Sequence, residues 1–319
     1  MYLKGKYLGH MLLDEFLKSF KIEVEDVSIS NLSVELDMFD GEFVGQCSPL
    51  FRWAGGKSQL LSPLKFYAPK SFDTYYEPFI GAGALLFALM PKKAVINDLN
   101  PVLTNLYLNV KNNYPELIQT LNQLSKLPDT ESVYLTIRDM FNANLKAGNF
   151  TPDMSALFLY LNAKGFNGLY RVNSKGEFNV GYAKDLVKPC IYSPEVFKYV
   201  HNYFVNNQVD ILQGDFLNCT KTASKGDFVY FDPPYIPVSQ TKNFTSNTST
   251  KFDESLQYKL ADEFKRLSDL GVKCMLSNSD TPLLRELYKS YTIRELNVTY
   301  MINPNSNDLK RTECLVLNY

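Results

Sequence analysis

The residues with the clearest chemical potential are Phe228-Val229-Tyr230-Phe231-Asp232-Pro233-Pro234-Tyr235. An apolar, β-rich run stops at an acid, two prolines and a tyrosine, which predicts a buried parallel strand that carries Asp232 to its C-terminal edge. Open α/β sheets hold their ligands at that edge. Consecutive prolines fix the backbone and supply no N–H, while their carbonyls remain acceptors. An amine held there can donate one hydrogen to Asp232 and the other to a main-chain oxygen near Pro233, with the Tyr235 ring stacked on the planar group that carries it. The arrangement suits an exocyclic amino group. Asp-Pro alone more often marks a strand-ending turn; the full Asp-Pro-Pro-Tyr after a hydrophobic strand is the more specific signal.

Three other stretches are built to meet a nucleotide. Tyr75-Tyr76-Glu77-Pro78-Phe79-Ile80-Gly81-Ala82-Gly83 has the shape strand, glycine turn, helix, and Ala94-Val95-Ile96-Asn97-Asp98 follows as a strand ending in an acid. That order matches the first βαβ half of a nucleotide-binding sheet, in which the acid takes the ribose hydroxyls. The third glycine of the dinucleotide fingerprint is replaced by Leu86, so an adenosyl group is implied and a pyrophosphate is not. Gln208 to Phe216 is a further strand ending in an acid beside an aromatic, where Asp215 can accept from an adenine amine and Phe216 can pack on its ring; a salt-bridged surface Asp215 fits as well. Trp53-Ala54-Gly55-Gly56-Lys57-Ser58 resembles the end of a phosphate-binding loop, but the earlier glycine that loop needs is Phe51, which rejects a nucleotide triphosphatase.

Between residues 158 and 190, Asn, Gly, Arg, Lys and Tyr are interleaved, and Asn173-Ser174-Lys175-Gly176 predicts a hairpin turn. Arg can bond guanine O6 and N7, Asn can bond adenine N6 and N7, and Lys and Tyr can take phosphates. Each residue alone fits an ordinary surface loop. Together, between two halves of a nucleotide-binding sheet, they read as a DNA-contacting cluster.

Other elements must position these groups. Leu12, Leu13, Phe16, Leu17 and Phe20 are spaced for an amphipathic helix, and Val24 to Leu36 alternates as one or two strands. This opening segment reads as a structural appendage ahead of a DNA-contacting or partner-binding arm. A helix is expected from near Lys57, another from Asn100-Pro101, and packing helices to about Leu157. After Tyr235, residues 236–253 form a long polar loop able to close over DNA. Leu256, Leu260, Phe264 and Leu267 mark a helix leading through Gly271 to a strand at 272–279. Two final strands, near Tyr291-Thr292-Ile293 and from Glu313 to Asn318, suggest an edge hairpin around a polar loop at 303–311.

Composition sets few limits. The 319 residues suffice for a full core and a second, smaller domain. With 45% hydrophobic and 21% charged residues the chain reads as a soluble globular protein without a membrane span. No secretion signal is read at the first residues. The net charge of −1 neither demands nor excludes nucleic acid. The five cysteines, at 47, 190, 219, 274 and 314, contain no C-x-x-C pair; they fit a reducing cytoplasm, and no metal site is expected.

Taken in order, these motifs resemble the Dam family of DNA adenine-N6 methyltransferases. The resemblance rests on Trp-Ala-Gly-Gly-Lys at 53–57, Tyr-x-Glu-Pro-Phe-x-Gly-x-Gly at 75–83, Ile-Asn-Asp at 96–98 and Phe-Asn-Gly-Leu-Tyr-Arg-Val-Asn at 166–173. It continues through Phe-Asn-Val at 178–180, Gly-Asp-Phe at 214–216, Asp-Pro-Pro-Tyr at 232–235 and Leu-Ser-Asn-Ser at 276–279, and covers residues 51–319.

What the resemblance implies is an α/β fold: a seven-stranded S-adenosylmethionine-dependent methyltransferase sheet, Rossmann-like, with a late antiparallel strand and an inserted helical target-recognition domain. The divisions would be an N-terminal extension at 1–46, a catalytic domain at 47–103 and 208–319, and target recognition at 104–207. The cofactor would be S-adenosylmethionine, leaving as S-adenosylhomocysteine. Trp53 and Lys57 match positions at its methionine end, Gly81 and Gly83 its close backbone approach, and Asp98 its ribose; Glu77 and Phe79 belong to the same cofactor motif. Asp215 and Phe216 would hold its adenine, with Asp232, Pro233, Pro234 and Tyr235 at the junction with a flipped target adenine in duplex DNA. Arg171 matches the arginine that reads guanine in GATC, Arg52 the place of a lysine touching the first base pair, and Asn167 and Asn173 are neighbouring DNA contacts. Where the family usually has Pro-Tyr after Phe-Asn-Val, this chain has Gly181-Tyr182, which predicts a more flexible hairpin. A cognate restriction endonuclease is a further expected partner. The remaining alternatives are a non-catalytic DNA-binding regulator on the same fold, a different adenine site, cytosine N4 and, more distantly, a dinucleotide oxidoreductase.

Overall fold

The computed structural model describes residues 11–22, 49–57, 60–184, 190–236, 252–300 and 309–319. Its frame is one seven-stranded sheet of β1 (Tyr75–Glu77), β2 (Lys93–Asp98), β3 (Gln208–Gln213), β4 (Phe228–Phe231), β5 (Lys273–Ser279), β6 (Thr292–Tyr300) and β7 (Leu309–Leu317). The spatial order is β3-β2-β1-β4-β5-β7-β6. The strands from β3 to β5 are parallel neighbours, whereas β7 runs antiparallel to both β5 and β6. Chain direction away from β1 reverses between β2 and β4, which puts the topological switch point, where open α/β sheets bind ligands, at the C-terminal ends of β1 and β4.

Alternating side chains feed two cores. Tyr75, Phe228, Tyr230, Met275, Leu315 and Leu317 face one layer of helices, and Tyr76, Val229, Phe231, Cys274, Leu276, Cys314 and Val316 face the other. The first layer holds α2 (Leu61–Tyr67), α3 (Ala84–Leu89), α4 (Pro101–Asn112) and α8 (Pro194–Asn206); the second holds α9 (Phe216–Thr220), α10 (Glu254–Asp269) and α11 (Pro282–Leu287). Ahead of them, α1 (Met11–Ser19) buries Leu13 and Leu17 in the first core.

Between β2 and β3 the chain inserts α5 (Tyr114–Ser125), α6 (Glu131–Ala147) and α7 (Pro152–Lys164), followed by a 3-10 turn at Phe166–Gly168. α7 is the hub of this region. Thr151 caps it by accepting from Met154 N at 3.3 Å, and every residue from Met154 to Asn162 is buried as α4, α5 and α6 close around it. Each fully buried large apolar side chain there contributes about 1.5–3 kcal/mol relative to exposure.

Several local expectations are corrected. The helix expected near Lys57 starts at Leu61. Pro63 has no N–H to donate and is tolerated only in a first turn, so it sets the start. Residues 158–164, read as the beginning of the DNA-contacting cluster, are the last turns of α7; burial on all sides erases the periodicity that would have revealed them. α11 was not expected, although Thr281 caps it and Pro282 opens it. β7 begins at Leu309, inside the loop expected at 303–311. The strands expected at 24–36 and most of the long loop at 236–253 lie outside the described residues.

Candidate active site

The C-terminal edge of the parallel strands gathers Glu77, Asp98 and Asp232, and the antiparallel direction of β7 brings Glu313 to the same edge, opposite Ser279. Asp232 is the centre. Lys57 Nζ lies 2.8 Å from its Oδ1, donates to Gly55 O at 2.7 Å, and sits 4.6 Å over the Tyr235 ring. Ser277 Oγ donates to the same Oδ1 at 2.8 Å, with the Tyr230 hydroxyl 3.0 Å behind it. Burial raises the Asp232 pKa above the ordinary carboxylate value; the Lys57 charge and the bonds from Lys57 and Ser277 pull it back. The loop that follows is pinned as well. Tyr235 OH donates to Glu313 Oε2 at 2.7 Å, Gln257 Nε2 to Pro234 O at 3.2 Å, and Ile236 N to Asn278 Oδ1 at 2.9 Å.

Beside it, Gly81 and Gly83 take φ values of 47° and 70°, a backbone open to glycine with little strain. A Cβ at Gly81 would stand 3.1 Å from Trp53 Cδ1, and one at Gly83 2.8 Å from Phe87 Cε2. Asp98 stitches this turn to its strand, accepting from Gly81 N at 3.1 Å and Asn100 N at 2.9 Å. Burial pushes its pKa up to about 6, against those main-chain N–H groups. Tyr107 OH donates to Gly81 O at 2.8 Å, and Asn97 Nδ2 ties Pro78 O to Gly214 O, each at 2.9 Å. Glu77 is 2% exposed and accepts from Tyr75 OH at 2.8 Å, and burial raises its pKa strongly. Phe79 stacks on Phe216 with centroids 5.4 Å apart, and Phe252 meets Phe79 edge-on. Asp215 is exposed and caps α9 through Leu217 N.

Of the residues expected to meet DNA, Arg52 and the turn that carries Asn167 are tied together by buried Asn162: Arg52 N donates to Oδ1 at 3.0 Å, and Nδ2 donates to Arg52 O at 2.8 Å and to Gly168 O at 2.7 Å. Arg52 and Asn167 are exposed beside this clamp, and Trp53 packs on Tyr170 with centroids 5.4 Å apart. Next in sequence, exposed Arg171 donates from Nε to Asn179 Oδ1 at 2.8 Å and from Nη2 to Asn179 O at 3.3 Å. The hairpin turn is present, with Gly176 N donating to Asn173 O. Asn173 uses its side chain to build that turn, accepting from Lys175 N and Glu177 N and donating to Glu177 Oε2. Lys164 is buried and paired with Asp129 at 2.7 Å. At the Gly181 segment, Gly181 O accepts from Phe166 N at 3.0 Å, which ties it to the 3-10 turn.

Asn162, Ser277, Tyr230 and Glu313 escaped the sequence reading as site residues. Ser277 lies within the Leu-Ser-Asn-Ser motif, but nothing local assigns it to Asp232; Glu313 signals itself only as an acid heading an apolar strand. Among the described residues, no group of three or more His, Cys, Asp or Glu side chains is arranged to hold a metal ion, and no helix is long and apolar enough to cross a membrane.

Residues 53–302 match the family of D12 class N6 adenine-specific DNA methyltransferases. The chain is 42% identical over 272 residues to the type II methyltransferase M1.LlaDCHI of Lactococcus lactis subsp. cremoris, covering 85% of this chain and 95% of that one. It is 37% identical over 292 residues to the type II methyltransferase M.MjaIII of Methanocaldococcus jannaschii, covering 86% and 100%. With the DNA adenine methylase of Escherichia coli K12 it shares 33% identity over 270 residues, covering 84% and 94%.

Proposed function

This chain belongs to the D12 class N6 adenine-specific DNA methyltransferase family, and from that premise we propose that it methylates N6 of an adenine flipped out of duplex DNA, within GATC, using S-adenosylmethionine. The carrying observation is Asp232 at the sheet edge, held by Lys57 and Ser277 beside a Tyr235 ring that is itself anchored by Glu313. Adenine N6 is a weak nucleophile because its lone pair is delocalised into the ring. Hydrogen bonds from the amine to Asp232 and to a prolyl carbonyl would localise that pair. Gln257 already engages the Pro234 carbonyl, which makes that of Pro233 the candidate partner. Tyr235 would stack on the extruded base, because N6 is out of reach inside the duplex.

The residues present fit the cofactor. At Gly81 the positive-φ backbone runs directly against Trp53, where a Cβ would stand 3.1 Å from Cδ1, so glycine keeps that ring and the turn's main chain side by side for the cofactor. Asp98 offers a carboxylate for ribose hydroxyls, and the Phe79–Phe216 pair with Asp215 offers an aromatic and polar bracket for adenine. The bound cofactor supplies an electrophilic methyl group whose leaving sulfur is a neutral thioether, so the protein's task is orientation and charge placement. Lys57 would serve the methionine end.

Residues 104–207 carry target recognition in this reading, with Arg171 on guanine and Arg52, Asn167 and Asn173 nearby, while residues 1–46 form a separate extension. The enzyme would work in the cytoplasm, and a restriction endonuclease cutting the same site is its natural counterpart. The test is transfer of labelled methyl from S-adenosylmethionine to duplexes with and without GATC, followed by nucleoside analysis. N6-methyladenine confined to the GATC duplex is expected, with Asp232→Ala folded but inactive and Arg171→Ala binding cofactor without sequence discrimination. Equal label in both duplexes would discard GATC; full activity of Asp232→Ala would discard the mechanism.

A further inference from the structure

A carboxylate has two oxygens and a side chain that rotates, so a productive Asp232 must be held in one orientation. Both fixed donors meet the same atom: Lys57 Nζ and Ser277 Oγ each lie 2.8 Å from Oδ1. A serine hydroxyl has a single proton, and an ionised carboxylate only accepts. Ser277 therefore commits its proton to Asp232, and the Tyr230 hydroxyl 3.0 Å away must be the donor to Ser277. The result is a one-way chain from Tyr230 through Ser277 to Asp232. Ser277 is 0% and Tyr230 1% exposed, so water does not compete for these bonds, and the paired strands β4 and β5 fix their spacing.

We propose that Ser277 and Tyr230 are positioning residues for methyl transfer: they anchor Oδ1 of Asp232 so that Oδ2 is the oxygen presented to the target amine. This rests on the reading of Asp232 as the acceptor for that amine. The groups facing Asp232 are Lys57 ahead of α2, Glu77 on β1, Tyr230 on β4, Tyr235 after it and Glu313 on β7. With Ser277 on β5 beside them, the Ser277 bond lowers the Asp232 pKa and the Glu313 carboxylate raises it. Removing one or the other should move the acid limb of the rate profile in opposite directions.

The test is single-turnover methyl transfer against pH, with S-adenosylmethionine and a GATC duplex. Ser277→Ala should slow transfer about 10–100-fold, the effect of losing one charge-assisted bond, with cofactor affinity within about twofold and the acid limb at higher pH. Ser277→Cys should fall between. Tyr230→Phe should act in the same direction, about 3–10-fold on the scale of a neutral bond, and add nothing in the Ser277→Ala background because it works through Ser277. The double variant removes both partners and leaves no orphaned hydroxyl, which protects folding. Glu313→Gln should move the limb to lower pH. A folded Ser277→Ala with the parent rate and limb, or a Tyr230→Phe effect that persists without Ser277, overturns the proposal. Asp232→Asn separates the two levels: if it transfers methyl at the parent rate the reading of Asp232 fails, whereas an inactive Asp232→Asn beside a parent-like Ser277→Ala sinks only the positioning role.

Discussion

Replacing Asn162 with Ala tests whether the segment carrying Arg52 and Trp53 is held by one side chain. Three hydrogen bonds would vanish, one from Arg52 N and two to the carbonyls of Arg52 and Gly168. At a net ~1 kcal/mol per bond, and with partial rehydration of the Arg52 groups near the surface, the loss is about 3 kcal/mol. Unfolding entropy near 2.1 cal/mol/K per residue gives about 0.7 kcal/mol/K for 319 residues. The melting temperature should therefore fall by roughly 4–5 °C. Asn162→Asp should be worse, because it keeps the acceptor for Arg52 N but turns a second oxygen toward two carbonyls. Scanning calorimetry measures the stability, and, on the proposed place of Trp53 at the methionine end of the cofactor, titration with S-adenosylmethionine measures whether Trp53 has moved; affinity should weaken in both variants. If Asn162→Ala melts within about 1 °C of the parent, on the same entropy scale, and binds cofactor equally well, the clamp is not what holds this segment.

Other perturbations have defined signs. On the proposed role of Asp98 as the acceptor for ribose hydroxyls, S-adenosylmethionine affinity should weaken below pH about 6, by up to about tenfold per unit, in a titration series. Without cofactor the sign reverses: the folded-state pKa lies above the ordinary 3.8, so ionisation lowers stability as pH rises from there to about 6, and melting curves should show the decline. Gly83→Ala places a Cβ 2.8 Å from Phe87 at φ 70°, and should cost about 2–4 kcal/mol by thermal melting while loosening cofactor binding. Gly181→Ala meets nothing within 4 Å. It should be neutral or stabilise by about 0.4–1 kcal/mol, and a loss of more than that would show the site is tighter than it looks.

The legible parts of this protein were those encoded by neighbours in sequence. Phe228 to Tyr235 combines an apolar run with a proline stop, and Asn100 before Pro101 is a cap before a first turn; both signals are complete within a few residues. The partners of the acid and the ring were not legible, because Ser277 lies 45 residues from Asp232 and Glu313 lies 78 from Tyr235. Only the strand order brings them together. Asn162 was hidden for a different reason: it sits in a helix buried on every side, where no polar face remains to mark the residue that points toward a neighbouring loop. Asn173 carried the opposite risk, since a residue type suited to reading a base is equally suited to shaping a turn.

The place of β7 between β5 and β6 has a consequence for biogenesis. β5 leaves the ribosome with its outer backbone unpaired, and its neighbour in the sheet is translated only after β6 has been made. The carboxylate that anchors Tyr235 arrives with that late strand. A growing chain can thus assemble β1 to β4 and the glycine turn before it can hold the Tyr235 ring still. On the proposed roles, nascent protein should acquire affinity for the cofactor earlier than competence to methylate DNA, and the exposed edge of β5 marks the interval in which a chaperone would find something to hold.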